Sequence, residues 1–135
     1  MNPTMNRITS SGPSITQAEI DLVTEAIREG WQEKLSWYID KFVEEFSDYL
    51  GIKYCLPTAH CTDAIHLAML ALGIGPGDEV ILPAHTWVST AGAIIAVGAK
   101  PVFADIDLET YNISKKEILK KINKKTKAII PVHLF

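Results

Sequence analysis

The stretch from His60 to Thr90, HCTDAIHLAMLALGIGPGDEVILPAHTWVST, switches between two hydrophobic periods in a fixed order, and that order restricts the fold. Lys53 to Pro57 reads as a short strand, and Ala64 to Leu72 as a helix that is apolar nearly all round and is therefore expected to be buried. Gly73 ends this helix. After the turn GIGPGD, Glu79 to Pro83 reads as a second strand, and Thr86 to Val97 as a second apolar helix closed by Gly98. Strand, helix, strand, helix is the order of an α/β fold.

In open α/β sheets ligands collect at the carboxyl ends of the strands, where helix N-termini offer unpaired backbone N–H groups. His60-Cys61-Thr62 and Thr86-Trp87 both fall at such ends. Amides around Cys61 and Thr62, with the Thr62 hydroxyl as a further donor, suit an anion such as a phosphate. Thr62 suits equally a plain helix cap, the commoner fate of Thr there. The Trp87 indole either stacks on a flat heterocycle whose phosphate sits at Thr62 or fills core, and the residues favour neither.

Other readings of the same stretch fail on spacing. His60, Cys61, Asp63 and His66 carry metal-ligating atoms, yet no second Cys or His cluster completes a zinc pattern, so no metal site is expected and His66 reads as a packed helix residue. Gly73, Gly75 and Gly77 close a helix and lead into a strand, the reverse of a dinucleotide fingerprint. They read as turn residues.

Helices flank this region. Thr16 and Glu19 form a capping box before an apolar face of Ile20, Val23 and Ile27 that runs up to Gly30. Ile39, Phe42, Val43, Phe46, Tyr49 and Leu50 make a second stripe ending at Gly51, and core packing is expected of both. Further on, DIDLETYNIS has the acidic and turn-forming residues of a surface loop, and Ser114 to Asn123 reads as a helix with its own Ser114/Glu117 capping box. Its lysines, Lys115, Lys116, Lys120 and Lys121, continue into Lys124 and Lys125, but few aromatics interleave, so the run reads as a solvated face.

A net charge of −3 gives no electrostatic reason to bind nucleic acid or an anionic membrane. No apolar run is long enough to cross a bilayer and MNPTMNRITS lacks a signal-peptide core, so a cytoplasmic location is expected. Cys55 and Cys61 make no disulfide framework; Cys55 reads as a buried free thiol and Cys61 as the more oxidant-reactive of the two. With 135 residues, 47% of them hydrophobic, the chain has enough material for one core. A sheet interrupted after Ala128 to Val132 would nonetheless leave that strand without later neighbours.

The segments SGPSITQAEI, AHCTDAIHLAMLALGIGPGDEVILP, HTWVSTAGAI, GAKPVFADIDLETYNIS and KTKAIIPVHLF, in this order, resemble the opening part of the DegT/DnrJ/EryC1/StrS family of pyridoxal-phosphate-dependent sugar aminotransferases. The resemblance runs from Ser11 to Phe135. It implies a three-layer α/β sandwich like the large domain of fold-type I pyridoxal-phosphate transferases, incomplete at the C-terminus. Residues 1–51 would be an N-terminal arm and two helices packing on that domain, and residues 52–135 its first part.

By the same resemblance, the family's Ser-Gly-Thr phosphate turn falls on His60-Cys61-Thr62, so Cys61 and Thr62 are expected to contact the phosphate of pyridoxal 5′-phosphate, with Trp87 stacked on its ring. His60 and Cys61 depart from the usual Ser and Gly: backbone contacts survive the change, and any contact from the usual Ser side chain does not. His133 lies in the family's Val-His-Leu segment without an assigned step. The family's cofactor-bonding Lys and pyridine-pairing Asp follow that segment, and neither motif occurs before Phe135, so no catalytic residue is named and the chain by itself is expected not to transaminate. The implied parent is a homodimer that transfers an amino group, from glutamate, to a keto-sugar linked to a nucleotide. The alternatives are a sugar-dehydratase relative, a non-catalytic phosphate- or cofactor-binding module, and an inert remnant.

Overall fold

The computed structural model describes residues 12–133, the side chain of Glu33 apart. The segment MNPTMNRITS, with its signal-peptide reading and most of the expected N-terminal arm, lies outside the described residues. The chain divides into two compact units, Met1–Leu56 and Pro57–Phe135.

In the first unit, α1 (Gln17–Glu29) and α2 (Trp37–Leu50) are joined through a 3-10 turn at Gln32–Lys34. The capping box forms as expected: the Thr16 hydroxyl accepts from the Ala18 amide, and Glu19 accepts from the Thr16 amide. Gly51 ends α2 in the left-handed region at φ 65°. Tyr38 Oη donates to Glu25 Oε1 at 3.2 Å, tying α2 to α1, and Phe42 stacks on Phe46 with ring centroids 5.4 Å apart. The expected core packing of the apolar stripes does not occur within the described residues. No residue of α1 or α2 is buried, and Val23 and Phe42 remain more than half exposed.

The second unit runs α3 (Cys61–Ala71), β1 (Glu79–Pro83), α4 (Val88–Ala96), β2 (Lys100–Ala104), α5 (Lys115–Lys121) and β3 (Thr126–Ile129). The sheet is parallel, in the order β2-β1-β3, with β1 at its centre and every residue of β1 buried. Parallel crossovers are right-handed, so stepping from β1 to β2 and then back past β1 to β3 puts α4 and α5 on opposite faces. The expected α/β layering follows from that reversal.

The core fills the α3/α4 face: Met69, Val80, Leu82, Ala93, Ile94 and Val97 form one buried cluster. α4, VSTAGAIIA, is rich in β-branched residues with modest helix propensity, so its buried Thr90, Ala93 and Ile94 hold it helical more than its own sequence does. α3 departs from the all-round burial expected of it. Met69 is its single buried residue, while Leu67, Leu70 and Leu72 are exposed, because α4 and β1 cover one side only.

Lys53 to Pro57 forms no strand, having no ladder partner among the described residues; Tyr54 and Leu56 are exposed and Cys55 is half-buried and free. The expected Ser114/Glu117 capping box also fails. Ser114 is the N-cap of α5 but makes no side-chain cap bond, and Glu117 pairs with Lys120 instead. β3 runs from Thr126 to Ile129, ending short of the Val132 expected, and lies at one side of the three strands present among the described residues. Among the described residues no helix is long and apolar enough to cross a membrane.

Candidate functional site

Beyond the carboxyl ends of β1 and β3 the second unit opens into a cleft of about 550 Å³. Its walls are Cys61 and Ile65 of α3, the turn into α4 from Thr86 to Thr90, and the segment 130–133 after β3. Each wall is placed by local chain chemistry.

At the first wall, the Thr58 hydroxyl donates to the His60 carbonyl at 3.0 Å, and that carbonyl also accepts the amides of Asp63 (3.0 Å) and Ala64 (3.2 Å). His60 thereby becomes the N-cap of α3, with extended backbone at φ −142° and ψ 153°. Its ring does not cap; Nδ1 lies 3.4 Å from Asp63 Oδ2. The plain capping role open to Thr62 is therefore taken by another residue, and Thr62 stands one place inside the helix. The amides of Cys61 and Thr62 and the Thr62 hydroxyl have no partner among the described residues. First-turn N–H groups lack intrahelical acceptors, which leaves these donors for an incoming acceptor. Cys61 is exposed, free and in the cleft wall, whereas Thr62 is half-buried and outside that lining.

At the second wall, Trp87 is the N-cap of α4, and its carbonyl accepts the Thr90 amide at 3.0 Å. Trp87 is 76% exposed among the described residues, so it fills no core within this unit, and it lines the cleft. Thr86 Oγ1 and Thr90 Oγ1 lie 3.0 Å apart. Reading the sequence missed this pair; its signal is a Thr spacing of four across the start of an apolar helix.

The third wall was legible only as the place of His133. Ile130 to Val132 add apolar surface beside it. No acidic side chain lines the cleft among the described residues, so an anion there meets no fixed like charge. Unpaired donors at one wall and apolar, partly aromatic surface at the others suit a flat ring carrying a phosphate. Cys61, Trp87 and His133 are thus brought together, with Thr62 adjoining them.

The profile of the DegT/DnrJ/EryC1/StrS aminotransferase family matches residues 13–135. The chain belongs to that family. Among relatives of this aminotransferase family, it is 42% identical over 123 residues to a GDP-perosamine synthase of Vibrio cholerae, covering 91% of this chain and 34% of that protein. It is 45% identical over 97 residues to a UDP-2-acetamido-2-deoxy-3-oxo-D-glucuronate aminotransferase of Pseudomonas aeruginosa, covering 72% of this chain and 27% of that protein. A putative sugar aminotransferase of Streptococcus pneumoniae, Spr1654, in its PMP form, superposes with a TM-score of 0.82 at 36% identity, over 94% of this chain and 32% of that one. Family members so matched are longer, and this chain spans about a third of their length.

Proposed function

We propose that this family member forms the phosphate end and one ring-covering wall of a pyridoxal 5′-phosphate site in an aminotransferase acting on a nucleotide-linked keto-sugar, with glutamate as amino donor. The observation that carries the reading is the meeting, in one cleft, of unpaired first-turn amides at the start of α3 with the exposed indole of Trp87. Family membership, and the nucleotide-sugar names of the relatives, favour this substrate class.

Pyridoxal phosphate, when bound, supplies an electron-withdrawing ring that eases proton removal at the amino-bearing carbon. The residues of this chain hold and orient it. The amides of Cys61 and Thr62 and the Thr62 hydroxyl donate to phosphate oxygens, and the positive end of α3 favours the phosphate's charge. The Trp87 indole lies against the ring and keeps water from that face. No proton transfer is assigned to His133. The protein so described works in the cytoplasm as a homodimer, and residues 1–135 alone do not turn over substrate.

Titrating pyridoxal phosphate into the chain and following its absorbance tests the cofactor reading. Saturable binding is expected, weakened about three- to tenfold by Trp87→Ala or by Thr62→Ala, the scale of one stacking contact or hydrogen bond. Wild-type affinity in Trp87→Ala overturns the stacking assignment. Glutamate-dependent amination of GDP- or UDP-linked keto-sugars by the intact protein tests the substrate class, and turnover by residues 1–135 alone overturns the inactivity.

A further inference from the structure

The exposed indole of Trp87 raises the question of what fixes its position, since so little of its surface is packed. Its flanks answer it. Thr86, the residue before it, and Thr90, one turn into α4, share a hydroxyl–hydroxyl hydrogen bond at 3.0 Å. The Thr90 amide reaches back to the Trp87 carbonyl, also at 3.0 Å. These bonds close a ring of chain around residue 87. Thr90 is 6% exposed in a largely apolar helix, so its hydroxyl is a desolvated group whose bond is costly to lose.

We infer that Thr86 and Thr90 form a latch that positions the Trp87 indole over the cleft, making both threonines positioning residues for the cofactor ring. The inference rests on the reading of Trp87 as the ring-stacking residue. With the latch closed, the backbone at Trp87 stays at φ −66° and ψ 139° and the indole is presented before any ligand arrives. Pre-set geometry of this kind spares the ordering cost at binding. An opened latch leaves the indole free to swing, so affinity falls although no contact with the ligand has been deleted.

The test is made in the 135-residue chain carrying Trp31→Phe and Trp37→Phe, which leaves Trp87 as its one tryptophan. Thr90→Val, close in volume, removes the hydroxyl without opening a cavity. The expected results are a lower indole anisotropy in the cofactor-free protein and pyridoxal-phosphate binding weakened about three- to tenfold, with Thr90→Ser returning both to within about twofold of wild type. Thr86→Val is expected to match Thr90→Val, and the double variant to be no worse than either single one, because both cut the same bond. Unchanged anisotropy in Thr90→Val, failure of the Ser variant to restore it, or additive losses in the double variant each overturn the latch. Failure of the stacking reading is separable: there Trp87→Ala itself leaves the affinity unchanged, whatever the threonines do.

Discussion

Asn123 Nδ2 donates to Glu79 Oε2 at 2.8 Å, a bond across 44 positions of sequence that ties the first residue of β1 to the turn leading into β3. On its other oxygen Glu79 takes Lys100 Nζ at 3.1 Å, and Lys100 is its register partner on β2. One nearly buried carboxylate therefore joins the three strands at the end of the sheet opposite the cleft.

That arrangement predicts an acid-sensitive fold. Asn123 first, then Lys100, hold the Glu79 carboxyl below its ordinary value of 4.5, against the upward pull of burial. The unfolded chain then takes up the proton more readily than the folded one, so the carboxylate's stabilising effect is fully present above 4.5 and drains away as pH falls below it. Glu79→Gln is expected to lower the melting temperature at neutral pH and to flatten its fall at acid pH. Parallel acid limbs for the two proteins would refute the linkage.

Gly92 and Gly98 are expected to respond to alanine with opposite signs. Gly98 sits at φ 78°, and an added Cβ would meet Pro76 Cγ at 3.0 Å, so Gly98→Ala is expected to cost about 1–2 kcal/mol. Gly92 is inside α4 and a Cβ there meets nothing within 4 Å among the described residues, so Gly92→Ala is expected to gain about 0.5–1 kcal/mol. Denaturant unfolding of the two variants checks the signs.

Leu82 is fully buried on the α3/α4 face of β1, within the cluster that includes Met69 and Ile94. Leu82→Ala is expected to cost about 2–5 kcal/mol by leaving a cavity between sheet and helices. Leu70→Ala, at a position 53% exposed on the uncovered side of α3, is expected to cost far less. Similar losses at the two sites, measured by denaturant unfolding, would contradict the one-sided burial of α3.

In the proposed site, what Cys61 would offer a phosphate is its amide, which has no partner among the described residues. Cys61→Ser is expected to leave pyridoxal-phosphate affinity within about twofold of wild type, since the amide and its place in the helix are retained. A tenfold loss in the absorbance titration would mean that the thiol itself contacts the ligand.

Local pattern carried much of this fold. The Thr16/Glu19 capping box, β1 from Glu79 to Pro83, and glycines at the ends of α2 and α3 follow from neighbours in sequence, and form as read. The same reasoning misplaced what depends on distant partners. Ser114 and Glu117 have capping-box spacing, but Lys120 captures the Glu. Lys53 to Pro57 has strand composition and no strand beside it among the described residues.

In the site, the residue types at His60-Cys61-Thr62 and at Trp87 left a phosphate turn and a ring-stacking face open beside a plain helix cap and a core indole, and the family resemblance alone favoured the first pair. Whether Thr62 capped its helix and whether Trp87 filled core were open until the chain was folded. The structure gave the cap to His60 and left the indole exposed. Which threonine meets Thr86, and which segment closes the third wall of the cleft, depend on how α4 leaves β1 and where β3 ends beside it. Hydrophobic period and cap chemistry are properties of a few adjacent residues, and the sequence alone determines them. Burial and polar pairing are relations between segments, and only the tertiary structure decides them.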